Sequence, residues 1–167
     1  MGDVADIVNS GVAIVHLIAN HAGVNAAQSG YANGFPVGWD GNGTGGTFKQ
    51  ITKRWKQTSD WYDFTKVDMD FTVGVSWQWG ISKNGSGHYI DNITATLEVA
   101  YLPADFTVDV QANFPTHGNK FGTEDDVIAG MPFTLAITFS GMFGQLVSFR
   151  QQKQVVVMGD GTYDWPT

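Results

Sequence analysis

Seven apolar residues fall on alternate positions, Val67, Met69, Phe71, Val73, Val75, Trp77 and Trp79, and interleave with Asp68, Asp70, Thr72, Gly74, Ser76 and Gln78. A period of two sustained this long fits a half-buried β-strand and nothing helical. Lys83-Asn84-Gly85-Ser86-Gly87 follows with the chemistry of a hairpin turn. Ile93, Ala95, Leu97, Val99 and Tyr101 make the returning strand, and Pro103-Ala104-Asp105 turns the chain again. Phe106 to Phe114, Phe133 to Phe139 and Val147 to Val157 repeat the alternation. Between the third and fourth of these strands, Pro115 to Ala129 reads as a polar loop carrying Glu124-Asp125-Asp126. Five antiparallel strands must cover their apolar faces with a second sheet or by closure, so a mainly-β fold, an antiparallel β-sandwich over residues 48–167, is expected.

Upstream the pattern changes. From Asp3 to Ala22 a 3.6-residue period places Val4, Ile7, Val8, Gly11, Ile14, Val15 and Ile18 on one face, opposite Asp6, Asn9, Ser10, His16 and Asn20. The reading is an N-terminal amphipathic α-helix over 3–22, with Asp3 as N-cap and Gly23 as the stop. Such a helix is about 30 Å long, the thickness of a bilayer's hydrocarbon core. Its apolar residues are therefore candidates for membrane insertion. Eight glycines between Gly23 and Gly46 make residues 23–47 a connector and a candidate hinge, with one short edge strand around Ala32–Trp39. Residues 48–66 hold Lys49, Lys53, Arg54 and Lys56 and read as a strand with an irregular end.

At 167 residues the chain is expected to be a single domain. A net charge of −7 argues against nucleic acid as a partner, because phosphate contacts need a basic footprint. The absence of cysteine excludes disulfides, thiolate zinc sites and thiol catalysis. No run of ~18 apolar residues and no basic-then-apolar leader occurs. The chain is expected to be soluble when made and to act outside the cell that makes it.

No enzyme signature emerges. There is no Gly-x-Ser-x-Gly elbow, phosphate loop or dinucleotide fingerprint, and His16, His21, His88 and His117 lack ligand spacing. Asp40-x-Asn42-x-Thr44 begins like a calcium loop, but its twelfth position is Ile51 rather than a bidentate Glu. No catalytic role, metal or cofactor is expected. The three Asn-x-Ser/Thr sequences, at Asn42, Asn84 and Asn92, read as turns. The aromatics say more. Trp77 and Trp79 belong to a core strand, whereas Trp55, Trp61, Tyr62 and Tyr89 are the candidates for a surface that takes lipid or glycan. Cation–π contact with a choline headgroup is worth about 0.5–2 kcal/mol per ring. Lys53 and Arg54 stand beside them as candidate phosphate contacts, each worth about 1 kcal/mol at an anionic surface.

Asp3-Val4-Ala5-x-x-Val8-x-x-Gly11 resembles the opening of the N-terminal helix of actinoporins, pore-forming cytolysins with one N-terminal helix, an aromatic-rich β-sandwich and no cysteine. The match in letters is confined to these residues, and the acidic balance departs from a typically basic family. The resemblance, actinoporin-like or aegerolysin-like, implies a secreted pore-forming toxin. It would bind a target membrane, a choline headgroup or a glycan, form a homo-oligomer there, work with or without a second toxin component, and insert its helix as pore wall. The rival expectations are a lectin-like carbohydrate- or lipid-binding β-sandwich with a docked helix, and an assembly subunit whose N-terminus contacts a neighbour.

Overall fold

Alternating apolar letters become one buried strand face in the computed structural model, which describes residues 5–57, 68–141 and 147–167. Phe71, Val73, Val75 and Trp77 are buried; on the other face Thr72 and Gln78 stay partly open, whereas Gly74 and Ser76 are covered as well. Among the described residues the chain forms twelve strands and no helix. In chain order these are β1 (Ile7–Val8), β2 (Ile14–Asn20), β3 (Gly23–Gln28), β4 (Ala32–Pro36), β5 (Thr44–Gln57) and β6 (Met69–Lys83). They continue as β7 (Ser86–Tyr101), β8 (Phe106–Asn113), β9 (Asn119–Thr123), β10 (Asp126–Gly141), β11 (Val147–Met158) and β12 (Tyr163–Asp164).

The expected N-terminal helix is a correction. Ile7 and Val8 lie in β1, Gly11 in a bend, and Ile14, Val15 and Ile18 in β2; Val4 lies outside the described residues. Asn9 accounts for the break. Its Oδ1 accepts from the Gly11 and Asn33 amides (2.9 and 3.1 Å) and its Nδ2 donates to the Val12 carbonyl (2.9 Å). An asparagine that satisfies the backbone locally competes with helix formation. The Val12 amide then bonds the Tyr31 carbonyl across the chain (3.0 Å). Past the bend, Ile14-Val15-His16-Leu17-Ile18 is rich in β-branched residues, which prefer a pleated surface. Of the face assigned to a membrane, Ile7 and Val15 are fully buried in the core and Val8, Ile14 and Ile18 are half-buried between strands.

The glycine-rich stretch 23–47 is corrected too. It holds β3, β4 and the start of β5. The polar loop expected over 115–129 contains the hairpin of β9 and the start of β10, paired from Thr123–Asp126 to Lys120–Ala129.

Long antiparallel ladders link β5 to β6 and β6 to β7. Asn84 and Gly85, both at positive φ (53° and 77°), make the β6–β7 turn, as their sequence requires. The pairing order β5-β6-β7-β4-β1 forms one limb, and β3-β2-β8-β10-β11-β12 forms the other, with β9 beside the start of β10. One parallel bridge, His88–Ile128, joins the limbs into a single curled sheet. Phe71 of one limb meets Phe139 of the other (centroids 6.3 Å), and the Trp77 indole N–H reaches the Met158 carbonyl (3.3 Å).

Candidate functional site

The regular pairing of β6 with β7 breaks at one place that matters. Ser76 pairs with Thr94 but Gln78 pairs with Asp91, so β7 spends three residues where β6 spends two. β4 registers the same extra residue, pairing Ala32 with Ile93 and Gly34 with Ile90. This is a β-bulge, a device that re-aims side chains and is common beside functional sites. Asn92 within it takes the left-handed conformation (φ 53°), which is uncommon without glycine and best tolerated by Asn and Asp. Its amide donates to Asp91 Oδ1 (2.8 Å) and its Nδ2 donates to Gln78 Oε1 (3.0 Å), so Asp91, Asn92 and Gln78 are locked together.

A cleft of about 420 Å³ opens over this bulge. Gln78 and Asp91 line it from β6 and β7, Asn33 and Phe35 from β4, and Ser10 from the bend before β2. The rim is the loop before β5, with Trp39, Gly41 and Gly43, and Gly45 at the start of β5. Gly46 next to it has φ 117°, and a Cβ there would stand 2.3 Å from Gln78 Nε2, so a side chain would be strained and would push Gln78 aside. The polar groups are held in place. The Ser10 amide donates to Asn33 Oδ1 (2.9 Å), and Asn33 Nδ2 donates to Ser10 Oγ (3.1 Å). Trp39 stacks on Phe35 (4.6 Å, 5° between planes) and tilts against Tyr89 (5.7 Å). Lys83 Nζ is 5.7 Å from the Trp39 ring. At the loop's turn Asp40 Oδ1 accepts the Asn42 amide (3.0 Å), and that bond holds the Asp40 carboxyl below its usual range.

The cleft therefore offers amide donors and acceptors, one hydroxyl, one carboxylate and an aromatic wall. No Lys or Arg lines it, which disfavours a phosphate or other anion. A larger open depression, about 720 Å³, lies between Asp6 and β9; its Asp6 and Lys120 pair with each other (3.2 Å), and Glu124 also lines it.

The aromatic and basic residues expected to form a binding surface do not converge. Trp55 packs inward on Phe71 (5.4 Å, 13°). Tyr89 is buried, with its hydroxyl pKa raised by that burial, and only its ring approaches the cleft, behind Trp39. Trp61 and Tyr62 lie outside the described residues. Lys53 and Arg54 take opposite faces of β5, as strand neighbours must. Arg54 grips Asp70 with two bonds (2.8 and 2.6 Å), which lower the Asp70 pKa. Lys53 turns inward, lies over the Trp165 ring (4.8 Å) and donates to the carbonyls of Trp165 (3.2 Å) and Pro166 (2.8 Å). Lys49 and Lys153 hold the Gly161 and Thr167 carbonyls of the same tail (2.7 and 3.3 Å). Lys53→Ala is expected to loosen residues 163–167 and to cost about 1.5 kcal/mol, the low end for a charged donor because the site is partly wet. Faster proteolysis of the tail would show it, and a tail as resistant as wild type would refute it.

Sequence reasoning passed over Ser10, Asn33, Trp39, Gln78 and Asp91. One trace of them was present: the apolar period slips from two to three between Ile90 and Ile93, where the bulge sits. Compared with family models, curated proteins and solved structures, the chain gives no match.

Proposed function

We propose that this chain is a glycan-binding module whose ligand enters the cleft over the Asp91–Asn92 bulge. The carrying observation is that Gln78 and Asp91 are locked to a left-handed Asn92, and Ser10 to Asn33, so that amides, a hydroxyl and a carboxylate line one cleft beside Trp39. Strain is retained where the surroundings over-determine it, and binding sites are a common reason. Neutral sugar hydroxyls donate and accept at once, which suits Asn and Gln amides with Asp as the stronger acceptor. The π face of a tryptophan matches the apolar C–H faces of a pyranose. At about 420 Å³ the cleft suits a short saccharide.

Asp91 is the single carboxylate among the lining residues, whereas glycoside hydrolysis uses two. Binding without turnover is therefore the reading, and it fits a role at a cell surface. Helix insertion is not part of it, because residues 7–8 and 14–20 are strands of the sheet.

A glycan array should retain the protein, and titration calorimetry on the retained sugar should give Asp91→Asn an affinity roughly tenfold lower, the worth of one charge-assisted bond. That variant keeps the Oδ1 acceptor for Asn92. Trp39→Ala should weaken binding further, and Lys120→Ala, away from the cleft, should leave it unchanged. No retained glycan, or Asp91→Asn binding as well as wild type, would sink the reading. Attachment to choline-lipid vesicles that is indifferent to Asp91→Asn would favour a lipid surface in its place.

A further inference from the structure

Between Asp6 and Asp40 the chain carries no Asp, Glu, Lys or Arg, in a protein where 15% of residues are charged. That uncharged stretch includes β3, and all six residues of β3 are exposed. β3 pairs with β2 on one side, ends the strand order of its limb, and contains no proline. The other edges among the described residues are guarded: β9 carries Lys120, and β11, open beyond its pairing with β12, carries Arg150 and Lys153. β5 carries Lys49, Lys53, Arg54 and Lys56, and β12 is two residues long. β1 is closed by the Val8–His117 bridge and by the Gly118 amide on the Ile7 carbonyl (2.9 Å). Lys side chains, short edges and covers are the usual defences against edge pairing, and among the described residues β3 has none of them.

We infer that β3 is a self-association edge, at which a second copy of this chain adds its own β3 antiparallel across a two-fold axis. Charge selects this occupant. Each copy carries −7, so two copies repel over most of their surfaces and approach best where neither presents a charge. A two-fold axis brings identical strands together antiparallel and makes the patch complementary to itself. His21 and Ala22 form a two-residue turn, so Asn20 and Gly23 face each other. Alternation along the ladder then turns the backbone groups of Val24 and Ala26 to the open side. Beside the strand, exposed Val24 (41%) and Tyr101 (54%) border a depression of about 330 Å³ formed by residues 20–24 and 99–102. The two-fold places this apolar patch against its own copy. Six paired residues and a small patch bury less than the ~1,200–2,000 Å² of a standard interface, so the dimer is weak and concentration-dependent.

Analytical ultracentrifugation of the full chain across a concentration series tests this. Wild type is expected to move from the 18.1 kDa species toward twice that mass as concentration rises. Ala26→Pro removes an outward N–H without touching the β2 ladder, and Val24→Lys adds a charge at the edge. Each should hold the chain at the monomer mass at the highest concentration, with an unchanged circular dichroism spectrum. If Ala26→Pro disturbs the fold, Val24→Lys alone carries the test. Wild type that stays monomeric throughout overturns the inference, and so does a dimer that survives Val24→Lys. Sugar binding at the cleft is measured separately and does not enter this result.

Discussion

Gly159→Ala is expected to destabilise the fold by about 3 kcal/mol or more, the upper end of what overpacking costs. An added Cβ at this position would stand 1.9 Å from the His88 carbonyl oxygen and 2.6 Å from its carbon. These are backbone atoms of β7, at the residue that bridges to Ile128 of β10, so no flexible side chain can swing aside. Gly159 is also bonded on both sides. Its amide donates to the Ala129 carbonyl (2.8 Å) and its carbonyl accepts the Gly80 amide (2.9 Å). Relief of the clash must stretch one of these bonds or part the seam where the two limbs join. Gly38→Ala is the comparison. Gly38 has positive φ (78°) with open space where the Cβ would go, so the cost there is backbone strain alone, about 1–2 kcal/mol. Urea denaturation should show a clearly larger loss of midpoint for Gly159→Ala with an unchanged slope. Equal losses would mean that the seam yields easily and that close approach at residue 159 is not what joins the limbs.

How much of this fold the sequence discloses depends on how local the deciding contact is. β6 is legible because every second residue from Met69 to Trp77 is buried by the same face. The β6–β7 turn is legible because Asn84-Gly85 can adopt positive φ cheaply. The stretch 3–22 was open to both periods, because Ile14-Val15 and Leu17-Ile18 put apolar residues next to each other. Two adjacent apolar residues satisfy a helical face, and equally a strand whose two faces are both partly covered. In β2, Val15 and Ala19 point to the core while Ile14 and Ile18 are half covered on the other face. What decides the matter is remote in sequence: the bond from the Val12 amide to Tyr31 and the ladder from Ile14 to Asn113.

The cleft was harder to see for a related reason. Ser10, Asn33, Trp39, Gln78 and Asp91 come from five separate segments, and none has an unusual neighbour in the sequence. The basic run misled in the opposite way. Lys53 and Arg54 look like one patch in letters, but strand geometry sends them to opposite faces. There Lys53 secures the tail and Arg54 neutralises Asp70.

The tail also makes Trp77 the residue whose loss should be felt most widely in the core. Trp77 is fully buried and reaches both limbs of the sheet. Its indole N–H donates to the Met158 carbonyl of β11 (3.3 Å), and its ring meets Tyr163 edge-on (6.1 Å, 68°). Lys49 Nζ stands 5.9 Å from the same ring while it holds the Gly161 carbonyl. Trp77→Ala should therefore cost about 3–5 kcal/mol, as expected for removing a buried indole that its surroundings cannot replace. The hydrogen bond is the smaller part of that loss. The Met158 carbonyl also accepts the Gly161 amide (3.1 Å), so it is not left without a partner when the indole goes. Trp77→Phe keeps a six-membered aromatic ring and removes the N–H together with the five-membered ring of the indole, so its cost is an upper bound on the hydrogen bond's share. It should cost less than half as much as alanine in urea denaturation. Trp77→Ala should also expose the tail to protease, because Tyr163 and Lys49 lose the surface they rest on. If the Phe and Ala variants lost the same stability, the N–H and the five-membered ring, rather than the packing of a six-membered ring, would be what Trp77 contributes.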